Sequence, residues 1–240
     1  MLRVDHLRKV YGGFEAVADL SFALRGGTVT GFFGPNGAGK TTTMRCLAGL
    51  IPPTAGDIRI GGSVVDTTSP DVKRRVMFVP DDPPLFDDLT VVDHLRLIRR
   101  LYADPSERPT RGQTDRRIGA WLEEFHLSDK HAALGGDLSR GMRQKLAVAM
   151  AAAADPDAIL LDEPLTGLDP PSIRRLLDRV RSWADAGKIV LVSSHLLAMV
   201  RDVCTDALFI HRGRLRYAGP VDRSDADELQ RRFEALTSDG

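Results

Sequence analysis

The stretch GPNGAGKT, residues 34–41, follows an apolar run suited to a β-strand, residues 29–33, and precedes a helix-forming run, residues 42–50. Glycines let successive backbone N–H groups point at one anion, and a helix that begins at Lys40 adds the positive end of its dipole. This pattern predicts a phosphate-binding loop in an α/β fold, where Lys40 reaches the β- and γ-phosphates of a nucleotide and the Thr41 hydroxyl ligates Mg²⁺. An ordinary glycine-rich turn is the alternative, but the pattern arises by chance in only about one chain in a hundred of this length. The expected nucleotide-binding residues are Gly34, Pro35, Asn36, Gly37, Ala38, Gly39, Lys40, Thr41 and Thr42.

The bulk composition excludes several classes of protein. The chain has 240 residues, enough for one domain or one domain with a sub-lobe. Its 33 basic and 33 acidic residues balance, so we expect no general attraction to nucleic acid or anionic lipid. Two cysteines are too few for a disulfide framework or a metal cluster, which indicates a reducing compartment. No apolar run reaches the ~20 residues of a membrane span, so membrane association is expected to need a partner protein.

Hydrophobic patterning predicts a mixed sheet. Alternation of apolar and polar residues indicates an antiparallel hairpin, residues 2–10 and 16–24, and a shorter one, residues 57–60 and 63–65. The other predicted strands are residues 28–33, 75–79, 158–161, 188–192, 207–210 and 215–217. The last two, joined by a turn, are expected to close the sheet.

Helical spacing is concentrated in the middle of the chain. It predicts helices over residues 89–102, 116–125 and 140–154, with a polar loop over residues 103–114. These elements indicate a helical sub-lobe, about residues 81–155, inserted into a domain of residues 1–220. A charged amphipathic helix is expected in the C-terminal tail, residues 221–240.

A second motif adds two carboxylates beside the predicted phosphate loop. The apolar run of residues 158–161 ends in Asp162 and Glu163. Asp162 emerges beside the phosphate loop, where its carboxylate would hold Mg²⁺ through water, since Mg²⁺ prefers oxygen ligands and keeps several waters. Glu163 would orient the attacking water or accept its proton. The alternative is a pair of N-capping carboxylates at the end of a strand.

His195 follows the predicted strand of residues 188–192. Residues just beyond the carboxyl ends of parallel strands line the ligand crevice of such sheets. His195 is therefore expected on the same rim as the phosphate loop and Glu163, in contact with the γ-phosphate. A helix cap or a surface histidine is the alternative.

A third motif opens the helix of residues 140–154. Ser139 is a natural N-cap, and the free N–H groups, the helix dipole and Gly141 together form a second anion site. Lys40 and its loop already cover the phosphates of this chain. Two anion sites in one domain indicate that one of them serves a neighbouring molecule.

The order of these motifs closely resembles the ATP-binding subunit of an ATP-binding-cassette (ABC) transporter, over about residues 2–219. The resemblance implies a P-loop NTPase fold with a mixed core sheet, an antiparallel β-subdomain and an inserted helical subdomain. It also implies that two such domains pair head to tail. Ser139 and Gly141 would then contact the γ-phosphate held by the opposing subunit.

The resemblance assigns two further residues. Asp169 would lie at the dimer seam and link the two sites, and it can also cap the helix that follows. Tyr11 matches the aromatic residue that stacks on adenine in this family, with an ordinary hairpin tyrosine as the alternative.

The chain departs from the family pattern in two places. Asp81 follows the strand of residues 75–79, where the family commonly has a glutamine that binds Mg²⁺; Asp81 also offers a hard oxygen, but with a full charge. Arg140 and Met142 stand where glycine and glutamine are usual in the signature motif. These variants resemble those of exporters whose membrane pathway lies in a separate protein.

The resemblance implies an ATPase, with ATP and Mg²⁺ as cofactors, that drives a separate transmembrane permease. It implies a second ATP-binding subunit, identical or different, and a location at the cytoplasmic face of the cell membrane. Two alternatives stay open: a soluble ATPase of the same fold without a transport role, similar to iron–sulfur assembly proteins, or a nucleotide-gated switch with low turnover.

Overall fold

The protein is described by a computed structural model that covers residues 1–103, 110–194, 200–222, 231 and 233–235. Strands within these residues form one ten-stranded sheet in the order β5-β4-β1-β2-β10-β9-β3-β8-β7-β6. The strands are β1 Leu2–Tyr11, β2 Phe14–Leu24, β3 Thr28–Phe33, β4 Ala55–Ile60, β5 Ser63–Val64, β6 Val76–Val79, β7 Ala158–Asp162, β8 Ile189–Ser193, β9 Asp206–His211 and β10 Arg214–Pro220. Both predicted hairpins are confirmed, and the sheet is mixed as predicted.

Six α-helices lie entirely within the described residues and accompany the sheet. They are α1 Lys40–Leu47, α2 Pro70–Arg74, α3 Val91–Tyr102, α4 Arg111–Glu124, α5 Arg140–Ala154 and α6 Pro170–Asp185. Three of them, α3, α4 and α5, pack together between β6 and β7 in the chain order. The predicted C-terminal helix falls mostly outside the described residues.

The start of α4 differs from the sequence prediction, which placed a loop as far as residue 114. The helix begins at Arg111, because Thr110 and Gln113 form a capping box: the Thr110 hydroxyl accepts from the Gln113 N–H, and the Gln113 side chain accepts from the Thr110 N–H. Polar composition marked this stretch as a loop, although polar residues are also what the first turn of a capped helix needs.

The central strands are parallel and are covered on both faces. β3 lies between β8 and β9, and β7 lies between β6 and β8, all in parallel pairs. Leu160 and Leu161 are both fully buried although their side chains belong to opposite faces of the sheet. One face packs against α3 to α6 and the other against α1 and the antiparallel strands, as the continuous apolar runs indicated.

The β9–β10 hairpin, which was predicted to close the sheet, lies in the interior of the sheet between β2 and β3. β10 pairs with β2, and β9 pairs with β3, so the hairpin joins the antiparallel half to the parallel half. The turn also supports the phosphate loop, because the Gly213 N–H donates to the Ala38 carbonyl at 3.0 Å. Gly213 has a φ of 70°, and a Cβ there would lie 2.9 Å from the Ala18 nitrogen.

Both cysteines lie in the interior of the fold. Cys46 and Cys204 are both buried and free, and burial raises the pKa of the Cys46 thiol to about 11. Across the described ranges, no helix is long and apolar enough to cross a bilayer. Those same residues contain no cluster of three or more His, Cys, Asp or Glu side chains with the arrangement of a metal centre.

Candidate nucleotide-binding site

The phosphate loop connects the end of β3 to the start of α1. Gly37 and Gly39 adopt φ values of 79° and 105°, which glycine tolerates and other residues rarely adopt. A Cβ on Gly39 would lie 2.5 Å from the Ala16 carbonyl oxygen, whereas a Cβ on Gly37 would meet nothing within 4 Å. The loop is thus packed against β2 at Gly39 and open at Gly37, which leaves one side of its backbone accessible to an anion.

Lys40 is held by its own loop. Its Nζ donates to the Gly34 carbonyl at 2.7 Å and to the Pro35 carbonyl at 3.2 Å. The residue is only 8% exposed. Burial lowers the pKa of Lys40, and the nearby charges of Glu163 and Asp162 oppose that shift. A buried cation held by neutral carbonyls is well suited to exchange them for phosphate oxygens.

A chain of hydrogen bonds links the loop to the two carboxylate residues. The Thr41 hydroxyl donates to Asp162 Oδ2 at 2.6 Å, and the Ser193 hydroxyl donates to Asp162 Oδ1 at 2.5 Å. The Ser193 hydroxyl also accepts from the Glu163 N–H at 3.0 Å. Asp162 and Ser193 are register partners of β7 and β8, so the parallel pairing itself brings these groups together.

The sequence prediction did not identify Ser193, which lies directly after the predicted strand of residues 188–192. The available signal was its position at the carboxyl end of β8, level with Asp162 on the neighbouring strand. Ser193 is fully buried.

Glu163 has an unusual backbone conformation. Its φ is 48°, in the left-handed region, which costs a non-glycine residue about 1–2 kcal/mol. Two hydrogen bonds from its N–H, to the hydroxyl and the carbonyl oxygen of Ser193, hold the turn in place. Asp162 is 2% exposed, whereas Glu163 is half-buried and borders the cleft. Strain of this kind accumulates at functional sites, where the surrounding structure imposes it.

These residues border an open cleft of about 360 Å³. The cleft brings together the phosphate loop, both carboxylates of the Asp162–Glu163 pair and Asp81, which sequence reasoning had placed in three separate motifs. Its lining consists of Phe14, Ala16, Asn36, Gly37, Gly39, Lys40, Thr41, Thr42, Asp81, Asp162 and Glu163.

The aromatic residue along the cleft is Phe14. Phe14 is 66% exposed and lines the cleft, and it pairs with Tyr11 across the β1–β2 turn. Tyr11 is not among the lining residues, and the Lys9 ammonium lies 4.9 Å from its ring centroid. Stacking of adenine on Tyr11 stays a prediction, with Phe14 as a second aromatic at the same end of the cleft.

The signature motif lies apart from the lining of this cleft. Ser139 caps α5, and its hydroxyl accepts from the Met142 N–H at 3.4 Å. A Cβ on Gly141 would lie 2.8 Å from the Gly167 carbonyl oxygen, so the start of α5 packs closely against the loop that follows β7. Ser139 is exposed, which leaves it accessible to another molecule.

Asp169 occupies the N-cap position of α6, but its side chain makes no capping hydrogen bond to the helix backbone, so the predicted side-chain cap is absent. A hydrogen bond with the Ser172 side chain lowers the pKa of Asp169, and Lys145 adds a weaker attraction at 3.7 Å. The carboxylate is exposed. His195, the remaining predicted residue, lies outside the described residues.

Comparisons with known proteins agree on one family. Residues 17–166 match the family described as ABC transporter. The SkfA peptide export ATP-binding protein SkfE of Bacillus subtilis is 37% identical over 215 residues, 90% of this chain and 87% of that protein. The Nod factor export ATP-binding protein I of Cupriavidus metallidurans is 36% identical over 214 residues, 89% of this chain and 69% of that protein. A solved structure of the ATP binding subunit of an ABC transporter is 30% identical in sequence and has a TM-score of 0.86. The match covers 97% of this chain and 93% of that chain.

Proposed function

This chain belongs to the ABC transporter family, as an ATP-binding subunit that hydrolyses ATP to power transport, and we propose that Lys40, Thr41, Asp162 and Glu163 carry that hydrolysis. The observation that carries the proposal is the continuous hydrogen-bond path from the Thr41 hydroxyl through Asp162 and Ser193 to the Glu163 N–H. Through this path, Glu163, which is proposed to act on water, would be held in position relative to the phosphate loop.

The phosphate loop would bind the triphosphate. Lys40 would exchange its two loop carbonyls for β- and γ-phosphate oxygens, and the backbone N–H groups at the start of α1 would face the same anion. Phosphoryl transfer depends mainly on positioning and on neutralising charge, and both are supported by a buried lysine beside an open loop.

The oxygen donors beside the loop suit Mg²⁺. The Thr41 hydroxyl and the Asp162 carboxylate are already in contact, and Asp81 borders the same cleft. Hydroxyl and carboxylate oxygens are the ligands that this small, hard cation prefers. The ion, when bound, would neutralise charge on the phosphate oxygens.

Glu163 would orient the attacking water and accept its proton. A general base must lie within hydrogen-bond reach of that water, and Glu163 borders the cleft beside Asp162. His195, two positions after β8 in the sequence, is proposed to contact the γ-phosphate.

A second ATP-binding subunit would complete each site. Ser139 and Gly141 lie outside the lining of their own cleft, and Ser139 is exposed at a helix N-terminus, as a group serving another subunit's γ-phosphate must be. Asp169, also exposed, would lie at the seam between the two subunits.

The membrane partner is proposed to be an exporter's permease, with this subunit at the cytoplasmic face. The names of SkfE and of the Nod factor protein both describe export. Phe86 and Leu134 are 60% and 40% exposed. Gly135, the residue after Leu134, packs closely on Phe86, because a Cβ on Gly135 would lie 2.4 Å from the Phe86 carbonyl oxygen. Phe86 belongs to the segment that follows Asp81 in the chain, so a permease that contacts Phe86 would be connected to the cleft through that segment.

Replacing Glu163 by glutamine tests the proposal. We expect Glu163→Gln to abolish phosphate release while ATP-bound dimers accumulate in size-exclusion chromatography, because the amide cannot accept the proton of water. Glu123→Gln, the same change at an exposed position of α4, should hydrolyse ATP normally. Hydrolysis by Glu163→Gln at the wild-type rate would show that Glu163 is not the base.

A further inference from the structure

Two of the three residues that differ from the usual family pattern, Asp81 and Arg140, are in contact with each other. Asp81 Oδ1 and Arg140 Nη2 lie 3.0 Å apart, joining the loop after β6 to the first residue of α5. Both side chains are about half exposed, at 46% and 56%. An ion pair this exposed is weak, so it can form and break readily.

The stem of Arg140 rests on a second loop. A Cβ on Gly167 would lie 3.6 Å from Arg140 Cδ and 3.7 Å from its Cγ, so the side chain runs closely over the loop that follows β7. Gly167 has a φ of 78°, a conformation that other residues rarely adopt. Arg140 therefore spans from the loop beside Asp162 and Glu163 to the Asp81 carboxylate.

Asp81 also faces the nucleotide cleft. It borders the same space as Lys40, Thr41 and Asp162. Among the described residues, the lining of this cleft includes the carboxylates of Asp81, Asp162 and Glu163 and one lysine. An unpaired carboxylate at Asp81 would repel a polyphosphate, and the Arg140 guanidinium offsets that charge.

We propose that Asp81 exchanges cations: Arg140 neutralises it in the nucleotide-free subunit, and Mg²⁺ replaces Arg140 when the metal–nucleotide complex binds. Arg140 is then a positioning residue, which holds Asp81 at the cleft and competes with the metal for it. The exchange releases the guanidinium at the signature end of α5, so metal binding in one motif changes the charge presented by another. The inference rests on the proposed nucleotide site.

Binding of a fluorescent ADP analogue tests the exchange without turnover. In EDTA, Arg140→Gln should weaken binding about twofold to fivefold, because the Asp81 charge is left uncompensated. In a Mg²⁺ titration, the same variant should reach half-saturation at a metal concentration about twofold to fivefold lower, because the competitor is gone. These opposite effects distinguish exchange from a simple loss of structure.

Three further variants sharpen the test. Arg140→Lys should restore both curves to within about twofold of wild type, since a lysine still competes as a cation. Asp81→Asn should remove both effects of Arg140→Gln, because the shared carboxylate is absent. Arg143→Gln, which removes the same charge from α5 at a residue bound to the Pro83 and Gly135 carbonyls, should leave both curves unchanged.

The outcomes separate this inference from the proposed function. Identical metal curves for wild type and Arg140→Gln would overturn the exchange, as would an equal shift from Arg143→Gln or a shift that persists in the Asp81→Asn background. A wild-type protein that binds no nucleotide would overturn the proposed function as well as the exchange.

Discussion

Replacing Ser193 by alanine should weaken both the fold and the catalytic step. The Ser193 side chain is fully buried, donates to Asp162 Oδ1 and accepts from the Glu163 N–H. Alanine removes both contacts at once. The Glu163 N–H keeps the Ser193 backbone carbonyl as an acceptor, at 3.2 Å, and one oxygen of a buried carboxylate loses its donor.

The size of the loss follows from these partners. A hydrogen bond to a charged group contributes about 1.5–3 kcal/mol. We therefore expect the free energy of unfolding to fall by about 2–3 kcal/mol, which corresponds to a drop in Tm of roughly 5–10 °C for a chain of this size. The Glu163 turn also loses a restraint on its left-handed backbone. We expect kcat for ATP hydrolysis to fall on the order of tenfold, with KM nearly unchanged, because the phosphate loop is intact.

Thr205→Val is a matched control. The Thr205 hydroxyl donates to Asp206 Oδ2 at 2.8 Å and accepts from the Val29 N–H at 3.2 Å, the same two kinds of bond at the opposite end of β3 from the phosphate loop. This variant should lose stability but keep its kcat. Urea unfolding and steady-state phosphate release measure the two quantities. An Ser193→Ala protein that is destabilised yet retains wild-type kcat would refute the view that Ser193 positions Glu163.

The remaining predictions concern binding. Because burial lowers the pKa of Lys40, the unfolded chain binds its proton more tightly, so stability should rise with pH from the lowered value toward the ordinary value of 10.5. In urea unfolding, the stability of Lys40→Met should therefore depend less on pH over this range. The Tm of this variant should also no longer increase when nucleotide is added. A pH dependence equal to that of the wild type, or a Tm that still increases with nucleotide, would contradict this role of Lys40. If adenine stacks on an aromatic of the β1–β2 turn, Tyr11→Ala or Phe14→Ala should weaken ATP binding by about 1–3 kcal/mol while leaving inorganic pyrophosphate binding unchanged in calorimetry. If both variants bound ATP with the affinity of the wild type, stacking of adenine on either ring would be excluded.

The sequence predicted the elements whose signal is local. The glycines and Lys40 of the phosphate loop, the buried run before Asp162 and the N-cap at Ser139 are each specified within a few residues, because turn conformation, burial and capping depend on near neighbours. The start of α4 was missed because its capping box resembles a polar loop. The position of the β9–β10 hairpin between β2 and β3 was not predicted, because composition does not reveal strand order.

Sequence alone determined that this chain binds a nucleotide and which strand leads to the two carboxylates. The residues of the phosphate loop are neighbours in the chain, as are Asp162 and Glu163, so each motif can be recognised locally. Only the tertiary structure decided that Ser193 links Asp162 to Glu163 and that Asp81 meets Arg140, 59 residues away. Such contacts depend on the order of strands in the sheet and on how the α3–α5 helices pack beside it. Their residues are distant in the chain and show no periodic pattern, so no local rule pairs them.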